Sequence, residues 1–226
     1  MSSTGVQDNL ASVRRRIEAA CRRGGRPTSA VTVIGVTKTV PVERIEDAIA
    51  AGLTEFGENR VQEAREKTPR LATRHPTLRW HCIGALQRNK AKQAVELFHV
   101  IHSVEALSLA EELERHAAAL GRSIEVLVQV NVSGEVRKHG CRPEDVPALA
   151  VAVSRCAHLR LIGLMTIPPW AEEPEASRPL FRQLGALRET LNLPLKLSMG
   201  MSNDFEVAIE EGADYIRLGT AIFGPR

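Results

Sequence analysis

Charge of one sign is missing from this chain: 30 Lys and Arg face 27 Asp and Glu, a formal net charge of +3. That balance is too even to imply nucleic acid or a membrane surface. No apolar run approaches the ~20 residues that cross a bilayer, and the polar opening Met1–Asn9 holds no hydrophobic signal region. A cytoplasmic protein is the expectation. Cysteine is scattered as Cys21, Cys82, Cys141 and Cys156, without a CxxC pair, so spacing suggests neither a zinc site nor a disulfide framework. Tyrosine is down to Tyr215 alone, placed inside a strand-like run where packing suits it better than proton transfer. No glycine-rich GxGxxG fingerprint follows the first strand, which counts against a doubly wound nucleotide-binding sheet.

What is present suffices for a large core, with 43% hydrophobic residues in 226. Val6, Leu10, Val13, Ile17 and Ala20 recur at helical spacing until Gly24, Gly25 and Pro27 stop the pattern. The other face of that helix carries Arg14, Arg15, Arg16, Arg22 and Arg23. Interrupted by Glu18 and without an interleaved aromatic, it reads as a solvated face and not an RNA contact. Next, Val31–Thr39 is a β-branched run that delivers Lys38 at its carboxyl end. Further strands are expected over 53–56, 78–83, 99–103, 124–130, 159–164, 195–198 and 214–218. Helices are expected between them over 42–51, 84–95, 105–120, 147–156, 177–191 and 205–211, and a mobile loop over 133–140. Regular alternation without a linker predicts one α/β domain over 1–226, a single (β/α)8 TIM-type barrel with an additional N-terminal helix.

In such barrels the active face lies at the strand carboxyl ends, and phosphate is often held after the seventh and eighth strands. Ser198-Met199-Gly200-Met201-Ser202 ends the seventh, where Gly200 allows close backbone approach and Ser202 can donate. Arg217-Leu218-Gly219-Thr220 ends the eighth, with backbone donors and a hydroxyl. Helix capping and a tight closing turn are the structural alternatives. A phosphate cradle and a lysine at one barrel mouth are what pyridoxal phosphate requires. Arg217, which only donates, would leave that cofactor's ring a weak electron sink.

Val36-Thr37-Lys38-Thr39, Phe56-Gly57-Glu58-Asn59, Trp80-His81-Cys82-Ile83-Gly84, Gly163-Leu164-Met165, Ser198–Ser202 and Arg217–Gly224 together resemble the pyridoxal phosphate homeostasis protein family over nearly the whole chain. The resemblance implies a barrel like the N-terminal domain of alanine racemase, with pyridoxal 5'-phosphate held as an aldimine on Lys38. It also implies Asn59 against the cofactor, Ser198, Ser202, Gly219 and Thr220 around its phosphate, and Arg217 facing the pyridine nitrogen. Met165 and Met201 complete the expected set. Cys82 and Arg88 depart from the family, which usually has phenylalanine and serine there.

The implied role is buffering or delivery of the cofactor to apo-enzymes that use it, without amino-acid turnover. A racemase-like enzyme is the alternative. Such enzymes add a β domain with a catalytic tyrosine, and two-base racemisation needs a second acid/base opposite Lys38. His81 and Cys82 are conceivable there but read as core. Without that second domain's interface a monomer is expected.

Overall fold

The computed structural model describes residues 5–135 and 138–225. Residues 1–4, 136, 137 and 226 lie outside it, and with them parts of the N-terminal and loop readings. Eight parallel strands close in sequence order into one barrel. They are β1 (Thr32–Val36), β2 (Glu55–Glu58), β3 (Arg79–Cys82), β4 (Val100–Val104), β5 (Ile124–Gln129), β6 (Leu159–Met165), β7 (Lys196–Met201) and β8 (Tyr215–Leu218). After α1 (Val6–Arg23), the outer layer comprises α2 (Val42–Ala50), α3 (Val61–Arg74), α4 (Ala91–Leu97), α5 (Leu107–Ala119), α6 (Val146–Ser154), α7 (Arg178–Thr190) and α8 (Phe205–Glu210). The short α9 (Thr220–Phe223) follows the last strand. No described helix is long and apolar enough to cross a membrane.

Parallel strands buried on both faces need apolar side chains outward against helices and inward against each other. The outward layer is the larger, with Phe56, Trp80, Phe98, Phe181 and Phe205 fully buried and the Phe56 and Trp80 rings 5.6 Å apart. Inside the barrel a smaller cluster joins Ile34, Val100, Leu127, Ile162, Met165 and Tyr215. Closure runs from Thr32 opposite Tyr215 to Gly35 opposite Leu218. That register brings Lys38, just beyond β1, to the same barrel end as Gly219 and Thr220, just beyond β8.

Four local readings shift. Leu53 N donates to Ala48 O (3.0 Å), closing the turn after α2, so β2 starts at Glu55 and carries Glu58 at its end. Residues 84–87 are not helical; a 3₁₀ turn (Arg88–Lys90) precedes α4. β7 continues to Met201, which pairs with Arg217 beyond a register shift. The loop after β5 is anchored on its described parts: Asn131 Oδ1 accepts from Ser133 Oγ and Gly134 N, and Glu105 Oε2 accepts from Gly140 N at 2.6 Å.

The arginine face of α1 is partly an internal clamp. Arg16 pairs with Glu206 (2.6 Å) and Arg23 with Glu210 (2.7 Å), both on α8, while Arg14 donates to Ala51 O (2.7 Å). Arg15 and Arg22 face solvent. A nucleic-acid stripe would leave such cations free for phosphates. Because Phe56 is wholly enclosed, Phe56→Ala should cost about 3–5 kcal/mol of stability, read as a lower urea midpoint with the slope unchanged.

Candidate functional site

Lys38, Asn59, Met201, Ser202, Arg217, Gly219 and Thr220 line one cavity of about 300 Å³ at the carboxyl ends of the strands. Met165 and Ser198 do not line it. Met165 is fully buried in the interior cluster. Ser198, equally enclosed, lies one layer down and receives Arg217 Nη1–H at 2.6 Å. Sequence reasoning missed the walls: Val36, Ile83, Ile167 and Trp170 supply apolar surface, and Asn203 a polar edge. Trp170 is 80% exposed, and the two prolines before it were the available sign of a rim held rigid for a ligand.

The lining contains an amine, a guanidinium, amides and hydroxyls, and no carboxylate among the described residues. Arg217 is 3% exposed, and burial pulls its guanidinium down to about 10, still cationic at neutral pH. Its Nη2–H donates to Thr166 O at 2.9 Å. Just beyond β8, the N–H groups of Gly219 and Ala221 converge on Ser202 Oγ at 3.3 and 3.2 Å. Both bonds are long, so a stronger anionic acceptor would compete for those donors. Gly200, at φ +90°, makes this turn possible, because a Cβ there would stand 2.5 Å from Ala208 Cβ.

A buried layer fixes the backbone that carries Lys38 and Asn59. Thr37 Oγ1 donates to Glu58 Oε1 (2.7 Å), and Lys67 Nζ donates to both Thr37 O (2.7 Å) and Glu58 Oε1 (2.9 Å). Burial pushes the Glu58 carboxyl up, and Lys67 and Thr37 pull it back. Thr39 follows at φ +59°, a conformation costing a β-branched residue about 1–3 kcal/mol; its N–H donates to Glu63 Oε2 at 2.9 Å. Across the cavity Gly84 passes so close that a Cβ would meet Asn59 O at 2.3 Å. This close approach requires glycine at position 84.

The conceivable second bases do not reach the cavity. His81 is bonded through both ring nitrogens, to His102 Nε2 (2.8 Å) and Glu55 Oε2 (2.5 Å). Burial pushes the Cys82 thiol up to about 12. Tyr215 points its hydroxyl at Lys196 Nζ (3.2 Å), below the cavity floor. One amine faces the cavity, with no acid/base partner opposite it among the described residues.

A closed parallel barrel with a lysine beyond its first strand and a donor-lined pocket beside its last defines a class. The family model described as alanine racemase, N-terminal domain, matches residues 9–226. Pyridoxal phosphate homeostasis proteins of Pseudomonas aeruginosa and Aquifex aeolicus are 46% and 44% identical, over 98% and 97% of this chain and 96% and 97% of theirs. PipY of Synechococcus elongatus, solved with PLP bound, is 40% identical with a TM-score of 0.85, covering 97% of this chain and 100% of that one. This chain belongs to that barrel family and, within it, to the pyridoxal phosphate homeostasis proteins. Alanine racemase of Clostridium difficile shares the fold alone, at 16% identity and a TM-score of 0.74, over 98% of this chain and 56% of its own.

Lys67→Met should cost about 3 kcal/mol at neutral pH by leaving the Glu58 carboxylate enclosed without its cation. Losing Lys67 raises the folded-state pKa of Glu58 further above its ordinary 4.5. The group then favours the fold below that ordinary value and loses that contribution as pH rises through the folded-state pKa. The variant's deficit should therefore shrink from pH 8 to pH 5 in urea titrations.

Proposed function

We propose that this chain, as a single barrel domain, binds pyridoxal 5'-phosphate in the cavity at its strand carboxyl ends, holding and releasing it for apo-enzymes in the cytoplasm without turning over amino acids. The observation that carries this reading is one donor-rich pocket, free of carboxylates among the described residues, that brings a lysine amine together with converging N–H groups and hydroxyls. Such a donor set fits an aldehyde bearing a dianionic phosphate. The cyanobacterial relative solved with PLP bound supports the same ligand.

In this reading Lys38 holds the aldehyde carbon covalently, while Ser202, Gly219 and Thr220 hold the phosphate. Asn59 and Met201 border the ring, and Arg217 donates toward its nitrogen from a position set by Ser198. Met165 supports that floor from the barrel interior. When bound, the cofactor supplies a reversible electrophile and an electron sink kept weak opposite a residue that only donates. Val36, Ile83, Ile167 and Trp170 give the pocket apolar surface against which a flat ring can pack.

Retention without turnover follows from the missing partner base. Two-base proton exchange at a substrate carbon needs groups on opposite faces, and among the described residues lining the cavity only Lys38 is placed for it. The racemase alternative therefore draws support from fold likeness alone. Nothing in the holding chemistry calls for a second copy of the chain, and the protein is proposed to act as a monomer.

Borohydride reduction followed by peptide mass spectrometry should place a pyridoxyl adduct on Lys38, and an adduct found only on other lysines would refute the assignment. Steady racemisation of an amino acid, abolished in Lys38→Ala, would overturn the carrier role. Ser202→Ala and Thr220→Val should each weaken pyridoxal phosphate binding about tenfold, the scale of one charge-assisted hydrogen bond, and leave unphosphorylated pyridoxal nearly unaffected. Equal losses for both vitamers in a binding titration would count against the cradle.

A further inference from the structure

One unbroken polar line crosses the barrel interior from the amino ends of the strands to the cavity floor. It uses one side chain from each of five strands: Glu55 (β2), His81 (β3), His102 (β4), Ser198 (β7) and Arg217 (β8). Glu55 Oε2 lies 2.5 Å from His81 Nε2, and His81 Nδ1 lies 2.8 Å from His102 Nε2. His102 Nδ1 lies 2.9 Å from Ser198 Oγ, which accepts from Arg217 Nη1 at 2.6 Å. Both imidazoles and Ser198 are fully enclosed.

The chemistry of the two ends gives the line a direction. At the Glu55 end a carboxylate only accepts, so a neutral His81 donates from Nε2 and accepts at Nδ1 from His102 Nε2–H. His102 Nδ1 is left to accept the proton of Ser198, whose oxygen accepts from Arg217. Running the line backwards would set the His81 Nε2 lone pair against an ionised Glu55 carboxylate at 2.5 Å. Burial lowers the pKa of both imidazoles, which keeps each neutral as this arrangement requires.

Other charged and polar groups pack around the line without entering it. Tyr215 on β8 stands edge-on to both imidazoles, with centroids 5.9 and 5.6 Å away, and Lys196 on β7 lies over its ring. At the outer mouth Arg79 (β3) lies 3.5 Å from Glu55 and 2.6 Å from Glu125 (β5), which also pairs with Arg160 (β6). His99, just before β4, accepts from Trp80 N at 3.1 Å. At the cavity end Asp204 is the acid that acts on Arg217 through space.

We propose that Glu55 is a positioning residue for Arg217: through His81, His102 and Ser198 it serves as a relayed counter-charge and aims the guanidinium at the cavity. Each neutral link turns its acceptor end toward the cation and its donor end toward the carboxylate, so the relay stabilises both charges. A carboxylate placed directly beside Arg217 would do this more simply. It would also put negative charge in a cavity that suits an anion. Carrying the counter-charge across the barrel keeps that cavity free of acid.

The relay stands on the interior geometry, and only its consequence for the cofactor rests on the function proposed above. Imidazole ¹⁵N–¹H correlation spectra of the cofactor-free protein near neutral pH should show His81 and His102 protonated on Nε2 alone. A proton on Nδ1 of either ring in the wild type would overturn the proposal, and this readout needs no variant to fold. In Glu55→Gln the charge that orients the line is gone, so Nδ1-protonated signal should appear at His102 and the Arg217 Nε–H resonance should move. Spectra unchanged at both residues would also overturn it. Glu55→Gln should weaken pyridoxal phosphate binding about tenfold, the scale of one charge-assisted hydrogen bond at Arg217, with the covalent adduct still on Lys38. If the wild type showed the Nε2 tautomers and no cofactor binding, the relay would stand and the cofactor reading would fall.

Discussion

A guanidinium enclosed inside a barrel, in contact with neutral acceptors and no carboxylate, is the constraint around which this molecule is arranged. Removing a cation from water is costly unless its donors are met. Two of Arg217's are met by Ser198 Oγ and Thr166 O, from β7 and the end of β6. Those contacts require β6, β7 and β8 to end at matched heights, which the pairings Met165 with Ser198 and Met201 with Arg217 provide. The register shift within β7 and the left-handed Gly200 follow from the same demand, because the strand must reach Met201 and still turn at Ser202.

The neighbouring wall of the cavity, at the end of β1, is organised by a different device. Where Arg217 is held by neutral groups, the backbone beneath Lys38 is held by a buried ion pair, Lys67 with Glu58, reinforced by Thr37. That pair absorbs its own charge one layer below the cavity, leaving Lys38 as the amine on the surface. The strained Thr39 and the close pass of Gly84 over Asn59 belong to this side as well. A rigid frame around a single amine suits holding a reactive aldehyde.

Much of this was legible in order along the chain. Eight β-branched or apolar runs alternating with helical spacing are a local signal, so barrel and opening helix could be read from residues such as Val31–Val36 and Val6–Ala20. Lys38, Asn59, Ser202, Arg217, Gly219 and Thr220 were legible because each sits at a strand end, where side chains of a barrel converge. Met165 and Ser198 were drawn from the same motifs, yet strand parity turns them into the interior beneath the cavity. The start of β2 was misplaced because a helix-closing hydrogen bond at Leu53 is not a property of the strand segment itself.

Periodicity and residue type were enough to specify the succession of strands and helices and the lysine that ends the first strand. They could not specify which polar residues meet. Glu55, His81 and His102 each lie as isolated polar residues in a strand-like run, and Lys67 falls in a stretch where the sequence predicts no element. Closure of β8 onto β1 makes one wall of the circle, and the tilt of the strands stacks inward-facing residues from distant segments in layers. The relay behind Arg217 exists because of that stacking, since its partners approach only once the barrel is shut, whereas the ion pair beneath Lys38 joins the end of β2 to the helix that follows it and needs only the neighbouring β1.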